Sequence, residues 1–164
     1  MSTVQRVCQF MEAYAPRRLA EEWDNTGLLI GDRGRAVSSI MTCLTITPES
    51  VQEAIGEKAD ILVTHHPMPF RPVKRITADS TVGSLLLQLI ESRIAVYSPH
   101  TSFDSARQGI NHRLAEGLGI VEPVPLVPIE GDPENLGAGR MGRLAAPQSV
   151  DNFLQSTKSF LQIK

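Results

Sequence analysis

The chain has 164 residues, of which 41% are hydrophobic and 21% are charged, and its formal net charge is −2. This length suits one domain with a sizeable core, and the composition argues against intrinsic disorder. Nucleic acid is not expected as a partner because no basic block stands out, and no apolar run is long enough to span a membrane.

The two cysteines favour a reducing compartment. Cys8 falls on an apolar helical stripe and Cys43 within a strand pattern, so both are interpreted as buried thiols rather than as a disulfide framework. The N-terminus lacks the continuous apolar run of a secretory leader. We therefore expect a soluble, cytoplasmic protein.

The first third of the chain predicts one helix and two strands. Apolar residues at helical spacing predict an amphipathic helix over residues 3–14, which ends before Pro16. Asp24 is interpreted as the start of an Asx-type turn that leads into a short apolar strand, and Trp23 is expected in the core. Residues 37–46 are rich in β-branched side chains and predict a second strand.

The middle of the chain alternates between strand and helix patterns. Thr47 stands at an N-cap position and Pro48 at the first helical position, so a helix follows. The apolar runs 61–63 and 94–97 predict strands, the first with the pattern of a strand buried on both faces, and a helical stripe follows each. Repeated βαβ units imply a mainly parallel sheet flanked by helices, so the predicted fold class is α/β.

The last third of the chain has a different texture. Residues 120–145 are rich in proline and glycine and predict extended loops and turns, with an edge strand at residues 140–144. Ser149 caps a terminal helix predicted over residues 149–164, which has no Gly or Pro stop signal. We expect residues 1–164 to be one α/β metal-binding domain, the N-terminal portion of a longer chain.

Metal-ligating residue types follow two of the predicted strands. His65 and His66 come directly after the predicted strand at residues 61–63, and His100 and Asp104 come after the predicted strand at residues 94–97. The loops beyond the carboxyl ends of parallel strands form the binding crevice, and neighbouring strand ends lie about 5 Å apart. The sequence therefore predicts a divalent metal site with His65, His66 and Asp104 as ligands.

The adjacency of the two histidines limits how they can bind. Successive side chains of a regular strand point to opposite faces, so both rings reach one ion only where the backbone turns, as before Pro67. Two ions about 3.5–4 Å apart would let each histidine bind its own metal, with Asp104 as a bridge. Imidazole and carboxylate ligands suit Zn, Mn, Fe or Co and disfavour Ca or Mg.

Other roles remain open for the histidines at this stage. A His-His pair is often structural or exposed, and most histidines are not ligands. His100 is interpreted as a residue that orients Asp104 by a hydrogen bond, with metal ligation and a purely structural role as the alternatives. His112 lies in a helical pattern and is interpreted as a surface residue.

Three segments resemble, in order, the motifs of a known family. They are Trp23–Gly31 (WDNTGLLIG), Ala59–Pro67 (ADILVTHHP) and Tyr97–Asp104 (YSPHTSFD), and Asn111–Gly119 and Gly137–Leu144 add to the match. The family is that of the Nif-three-like dinuclear metal-centre proteins, also called GTP cyclohydrolase I type 2 homologues. The resemblance implies a Nif-three-like fold, a homohexameric ring, and two divalent metals per subunit with His65, His66 and Asp104 as ligands.

The resemblance also exposes a difference in the ligand set. Family members place a further histidine and glutamate near their C-terminus, and this sequence reaches Lys164 without such a segment. Three ligands are too few for two metals unless water, a partner chain or further sequence supplies the rest. The expectation is that the sequence is a fragment.

The metal site favours a metal-dependent hydrolase that activates water against a nucleotide or related small molecule. No glutamate or lysine is clearly placed as a general base, and no glycine-rich phosphate loop opens a helix. A non-enzymatic metal-binding scaffold or regulatory partner is therefore the alternative. A metal-free Rossmann-type nucleotide binder is weaker, because the first strand–helix junction at Ile46–Glu49 lacks the G-x-G-x-x-G pattern.

Overall fold

The computed structural model describes residues 1–163, and the chain forms two compact units, Met1–Ser102 and Phe103–Lys164. The expectation that residues 1–164 are one domain stays a prediction.

The first unit contains six strands, three helices and the start of a fourth helix. The strands are β1 (Ser2–Thr3), β2 (Gly27–Ile30), β3 (Ala36–Val37), β4 (Ile40–Cys43), β5 (Ile61–Thr64) and β6 (Ala95–Ser98). The helices are α1 (Val4–Tyr14), α2 (Pro48–Gly56) and α3 (Thr81–Glu91), with a short 3-10 helix at Arg17–Leu19. Helix α4 (His100–Ser105) follows β6.

Four strands form one mostly parallel sheet in the order β2-β6-β5-β4. Strands β4, β5 and β6 are parallel, with Ile40 opposite Ile61 and Ile61 opposite Ala95. Strand β2 is antiparallel to β6 at the edge. Helices α2 and α3 connect successive parallel strands, which is the βαβ arrangement that the sequence predicts.

The central strands bury side chains on both faces of the sheet. Leu62 and Val96 pack in a core with side chains of α2 and α3. Ile61, Ala95 and Tyr97 pack in a second core with side chains of α1. Because successive residues of a strand point to opposite faces, this alternation means that helices cover the sheet on both sides. The predicted α/β class is confirmed.

Helix α2 begins as the sequence predicts. The Thr47 side chain accepts a hydrogen bond from the Ser50 N–H (3.2 Å), and the Ser50 side chain accepts one from the Thr47 N–H (2.8 Å). Pro48 occupies the first helical position. This reciprocal pair satisfies two donors that a helix N-terminus otherwise leaves unpaired.

The strand predicted for residues 37–46 is shorter in the structure. Strand β4 begins only at Ile40, and Val37 pairs instead with Ser2 of β1 in a separate two-stranded ladder. Between them, the N–H groups of Ser38 and Ser39 donate to the carboxylate of Asp60, at 2.8 and 3.1 Å. A side-chain acceptor thus replaces the neighbouring strand, and the ladder is interrupted.

The second unit combines two helices with two short antiparallel pairs of strands. Its elements are α5 (Ile110–Gly117), β7 (Ile120–Val124), β8 (Val127–Pro128), β9 (Gly137–Ala138), β10 (Met141–Leu144) and α6 (Val150–Leu161). Strand β7 pairs with β10, and β8 pairs with β9. The guanidinium of Arg140 donates to the carbonyls of Ser105, Ala106, Gly137 and Gly139, at 2.6–3.0 Å.

The prediction for residues 120–145 is partly wrong. The edge strand at 140–144 is confirmed as β10, but three further strands lie where only loops and turns were expected. Prolines are compatible with these strands because a two-stranded pair leaves open edges, where a missing N–H breaks no ladder. Ser149 caps α6 as expected, by accepting from the Asn152 N–H at 3.2 Å; the end of the predicted helix, Lys164, lies outside the described residues.

Within residues 1–163, no helix has both the length and the apolar character needed to cross a membrane.

The Asp60 carboxylate links the start of β5 to the segment before β4. We expect this carboxylate to make the free energy of unfolding depend on pH in the acid range. The N–H groups of Ser38 and Ser39, together with the nearby Arg35 guanidinium (3.1 Å), hold the pKa of Asp60 below its usual value. A carboxyl whose pKa is lower in the folded state, against about 3.9 when unfolded, stabilises the protein above the unfolded pKa. That stabilisation is lost as pH falls through the folded pKa.

Denaturant unfolding between about pH 5 and pH 2 tests this expectation. We expect Asp60→Asn to lower the free energy of unfolding at neutral pH and to make its acid dependence shallower. Asp79→Asn, at an exposed position of the same unit, should change neither. Parallel pH curves for Asp60→Asn and the unsubstituted chain would contradict the assignment.

Candidate metal centre

Three imidazoles converge at the carboxyl ends of β5 and β6. His65 and His66 follow β5 directly, and His100 begins α4 two residues after β6. The ring centroids lie 4.9 Å apart for His65 and His66, 5.3 Å for His65 and His100, and 5.8 Å for His66 and His100. One nitrogen from each ring lies within 4.8 Å of the other two, which we call the three-histidine group.

The backbone of the two adjacent histidines is held by β4 and β6. The N–H of His65 donates to the Cys43 carbonyl (3.2 Å), and that of His66 donates to the Leu44 carbonyl (2.9 Å). The Ser98 hydroxyl donates to the His65 carbonyl at 2.7 Å. The Thr64 hydroxyl also donates to the His66 carbonyl (3.2 Å), so the chain is constrained just where it leaves the regular strand.

The ring of His66 is oriented by a hydroxyl. Its Nδ1 shares a hydrogen bond of 2.7 Å with the Oγ1 of Thr45. Because Nδ1 is engaged, Nε2 is the nitrogen of this ring that remains for a ligand. A hydrogen bond on the far nitrogen is the usual way in which a protein fixes the orientation of a metal-binding histidine.

The ring of His100 is oriented by a buried carboxylate. Its Nδ1 lies 2.7 Å from the Oδ1 of Asp24, whose side chain is 0% exposed. An ionised carboxylate only accepts hydrogen bonds, so Nδ1 carries a proton and Nε2 is the ring nitrogen that remains to coordinate a metal. His100 also has a positive φ of 35°, a conformation in which non-glycine residues are uncommon. Such strain is maintained by surrounding contacts and concentrates at functional sites.

Asp24 has four hydrogen bonds that keep it ionised. Besides His100, its oxygens accept from the Asn25 N–H (2.7 Å), the Thr101 N–H (3.1 Å) and the Thr101 hydroxyl. Burial alone would raise the pKa of Asp24, but the hydrogen bonds from Thr101, His100 and Asn25 outweigh it and lower the pKa. At neutral pH the Asp24 carboxylate next to the His100 ring is therefore negatively charged.

The structure brings the two predicted histidine ligands together with His100, but it does not group Asp104 with them. His65 and His66 belong to the three-histidine group, and His100 belongs to it as a possible ligand. Within residues 1–163, the group contains no carboxylate, so Asp104 is not a member. Asp104 is half-buried and lies in α4, four residues after His100. The ligand roles of His65, His66 and Asp104, and the orienting role of His100, stay predictions.

Sequence reasoning missed two orienting residues, Asp24 and Thr45. Asp24 does accept from the next backbone N–H, as an Asx turn requires, but the same carboxylate also bonds to His100. No sequence pattern signals this second role, because only the fold shows that the Asp24 carboxylate is buried and therefore needs hydrogen-bond donors. The prediction of a core position for Trp23 is wrong, because its side chain is 63% exposed.

His112 was interpreted as a surface residue. In the structure its ring is 25% exposed, and it pairs with Glu116 one turn later in α5 at 3.3 Å. This local pair involves neither strand end.

The chemistry of the three-histidine group fits a divalent transition metal. Neutral imidazole is a borderline donor that suits Zn, Fe, Co or Cu better than Ca or Mg. Two of the three rings are held through Nδ1, which leaves Nε2 for coordination, as in carboxylate–histidine–metal arrangements. The donor set and its orientation therefore match what such an ion requires.

Comparison with known proteins identifies the family. A family model described as Duf34/NIF3 (NGG1p interacting factor 3) matches residues 2–164. The chain belongs to this family. The resemblance noted in the sequence motifs is thereby confirmed.

Curated NIF3 relatives are longer than this chain. The GTP cyclohydrolase 1 type 2 homolog of Clostridium acetobutylicum is 33% identical over 161 residues, which cover 98% of this chain and 60% of that protein. NIF3-like protein 1 of Homo sapiens is 39% identical over 116 residues, covering 70% of this chain and 31% of the human protein. The chain thus spans no more than about 60% of either relative.

Solved structures of similar proteins agree with the NIF3 assignment. Reduced HcgD from Methanocaldococcus jannaschii has a TM-score of 0.84 and 32% identity, covering 96% of this chain and 60% of that one. Protein SA1388 of Staphylococcus aureus has a TM-score of 0.85 at 24% identity, covering 98% and 66%, and shows the shared fold.

We expect Asp24 to control how strongly the three-histidine group of this NIF3-family chain binds metal. Asp24→Asn should weaken zinc affinity roughly 10- to 100-fold, because the amide is uncharged and its NH2 group cannot accept from the Thr101 N–H and hydroxyl, so the bond that orients His100 is weakened. Competition with a chelating indicator measures this, with the thermal midpoint as a check that the variant folds. Asp79→Asn, which carries the same change at an exposed position, should bind zinc like the unsubstituted chain.

Proposed function

We propose that this NIF3-family chain binds divalent metal in a dinuclear centre and acts as a metal-dependent hydrolase on a nucleotide-like small molecule. One observation carries the proposal: three imidazoles from two neighbouring strand ends converge within 4.8 Å, and a hydroxyl and a buried carboxylate orient two of them. Hydrogen bonds that orient neighbouring imidazoles toward one volume are typical of metal sites in proteins.

In the proposed centre, His65, His66 and Asp104 are ligands, as the family resemblance implies. Metal–nitrogen bonds of about 2.0–2.1 Å suit imidazoles that face one volume, and two-metal sites place their ions about 3.5–4 Å apart. We add His100 as a fourth candidate ligand through Nε2, because its other nitrogen is held by Asp24. Zn, Fe, Mn and Co remain the candidate ions.

The chain's own residues would divide the work at this site. The three imidazoles and Asp104 would hold the cations, and the hydrogen bonds from Asp24 and Thr45 would keep two of the rings from rotating. A divalent ion bound there supplies Lewis acidity that makes water nucleophilic at neutral pH. Asp24 itself is not a candidate base for that water, since its two oxygens are already occupied by four hydrogen bonds.

The hydrolase part of the proposal rests on relatives. The clostridial protein described above carries the name GTP cyclohydrolase 1 type 2 homolog, and it is 33% identical to this chain. A cyclohydrolase acts by adding water to a ring, a reaction that a metal-activated water serves well. The proposed substrate is therefore a nucleotide or another small molecule with a hydrolysable ring bond.

A second candidate function is a non-enzymatic metal-binding scaffold or regulatory partner. The observation in its favour is that, in the described part of the chain, the three-histidine group contains only imidazoles, and Asp24, the carboxylate that bonds to His100, is committed to orienting that ring. A site with metal ligands and no free general base can hold a metal without turning over a substrate.

We also propose that the protein works in the cytoplasm as a homohexamer, as the family resemblance implies. Light scattering coupled to gel filtration measures the assembly directly. A mass near six times the chain mass of 17.9 kDa supports this, and a monomer mass at micromolar concentration contradicts it.

Metal content tests the proposed centre. Elemental analysis of the purified protein should find a divalent transition metal, and the double variant His65→Ala/His66→Ala should lose it, because two of the donors are gone. His112→Ala, a histidine paired with Glu116 on α5, should retain the metal. Equal metal content in the double variant and the unsubstituted protein would rule out the site.

Turnover tests the hydrolase. The metal-loaded protein should convert GTP or a cyclic-amide substrate to a ring-opened product, resolved by liquid chromatography, and Asp104→Ala should reduce the rate at least about 100-fold if Asp104 is a ligand. Activity that survives chelation would contradict a metal mechanism. Stoichiometric metal without turnover on either substrate class would favour the scaffold.

A further inference from the structure

Two aromatic side chains stand exposed beside the three-histidine group. Trp23 is 63% exposed and Phe70 is 43% exposed. Their ring centroids lie 6.1 Å apart with an angle of 71° between the planes, an edge-to-face contact. Edge-to-face packing covers only part of each ring, so much of the apolar surface of both still meets solvent.

Both aromatics also contact His100. The ring centroid of His100 lies 6.3 Å from that of Trp23 and 6.2 Å from that of Phe70, each with nearly perpendicular planes. Since the ring centroid of His100 itself lies 5.3 Å from that of His65, the aromatic pair lies beside the three-histidine group. A molecule held against Trp23 and Phe70 would thus lie next to the proposed metals.

The position of the aromatic pair is fixed by hydrogen bonds on either side. The Asn25 side chain donates to the Pro69 carbonyl at 2.7 Å, which ties the turn after Trp23 to the residue before Phe70. The Glu21 N–H donates to the Thr101 side chain at 3.1 Å, so the same turn is also fastened to α4. Because these bonds hold the backbone on either side of the two aromatics, less conformational entropy is lost when a ligand binds against them.

Exposure by itself does not distinguish this pair. Phe10 on α1 is 67% exposed and stacks on Tyr14, at 6.1 Å, and the three-histidine group found within residues 1–163 includes no residue of α1. Single exposed apolar residues are normal on protein surfaces. What sets Trp23 and Phe70 apart is the combination of mutual contact, contact with His100, and anchoring to α4.

We propose that Trp23 and Phe70 form a stacking platform for the planar heteroaromatic ring of a substrate, such as a nucleobase, and so place that ring beside the three-histidine group. The inference rests on the proposed function, since it assigns the substrate class to that same site. Flat heteroaromatic rings stack on aromatic faces, whereas a phosphate group has no π-face to stack. The platform therefore selects substrates by the ring rather than by the charged part of the molecule.

Trp23 provides a direct readout because it is the only tryptophan in the chain. The probe is guanosine monophosphate, titrated into zinc-loaded protein, and ribose phosphate is the matched probe without the ring. Zinc is chosen because it has no redox chemistry that would quench the emission. We expect saturable quenching of Trp23 fluorescence by guanosine monophosphate and no change with ribose phosphate.

Three variants separate stacking from other causes. Phe70→Ala should weaken binding of guanosine monophosphate roughly 5- to 150-fold, the range that corresponds to loss of one base–aromatic stack. Phe70→Tyr keeps the ring and should restore most of the affinity. Phe10→Ala removes a more exposed ring, on α1, and should leave both the quenching and the affinity unchanged.

Zinc content and Trp23 quenching together separate failure of the stacking platform from failure of the metal centre. Zinc retained without quenching, or quenching that Phe70→Ala leaves unaltered, overturns the platform and leaves the metal centre standing. Quenching by guanosine monophosphate in a protein that retains no zinc supports the platform and overturns the metal centre. A shift of Trp23 emission to shorter wavelength with protein concentration alone, before any ligand is added, shows that a second copy covers the pair and overturns the platform.

Discussion

The buried carboxylate of Asp24 is the constraint on which the candidate site depends. It binds the first two residues of α4 and the N–H of its own turn, so one ionised group holds two separate segments of the first unit together. A buried charge would be destabilising without such partners. With them, its pKa is lowered and its geometry is fixed, and the same bonds set the orientation of His100 and the position of Trp23.

The parallel sheet determines where the three histidines emerge from the fold. Strands β5 and β6 are adjacent and in register, with Val63 opposite Tyr97, so the residues that follow them emerge side by side. Cores on both faces of the sheet hold these strands firmly. A site built on rigid strand ends keeps its donors in place before any ligand arrives, which reduces the cost of binding.

Metal donors and aromatic surface meet at one histidine. His100 takes part in the three-histidine group, bonds to Asp24 and contacts both Trp23 and Phe70. A site of this kind combines a strong, orientation-dependent interaction with a weaker one that tolerates different rings. Under the proposed function, this combination would serve small molecules that carry a flat ring next to a bond that water can attack.

The sequence by itself determined the α/β class, the order of the central strands and helices, and the two strand ends that carry histidines. Those features depend on local patterns: apolar runs for β5 and β6, and the Thr47–Pro48 start of α2. The strand boundaries near Ser38 and Ser39 and the strands within residues 120–145 were not predicted correctly, since side-chain acceptors and open sheet edges decide them.

Only the tertiary structure decided that Trp23 is exposed, that Asp24 and Thr45 orient two of the histidines, and that His100 joins His65 and His66 as a possible ligand. Asp24 and His100 are 76 residues apart in sequence, and no local pattern connects them. Their pairing follows from the sheet, which brings distant strand ends together, and from the requirement that a buried carboxylate find hydrogen-bond donors.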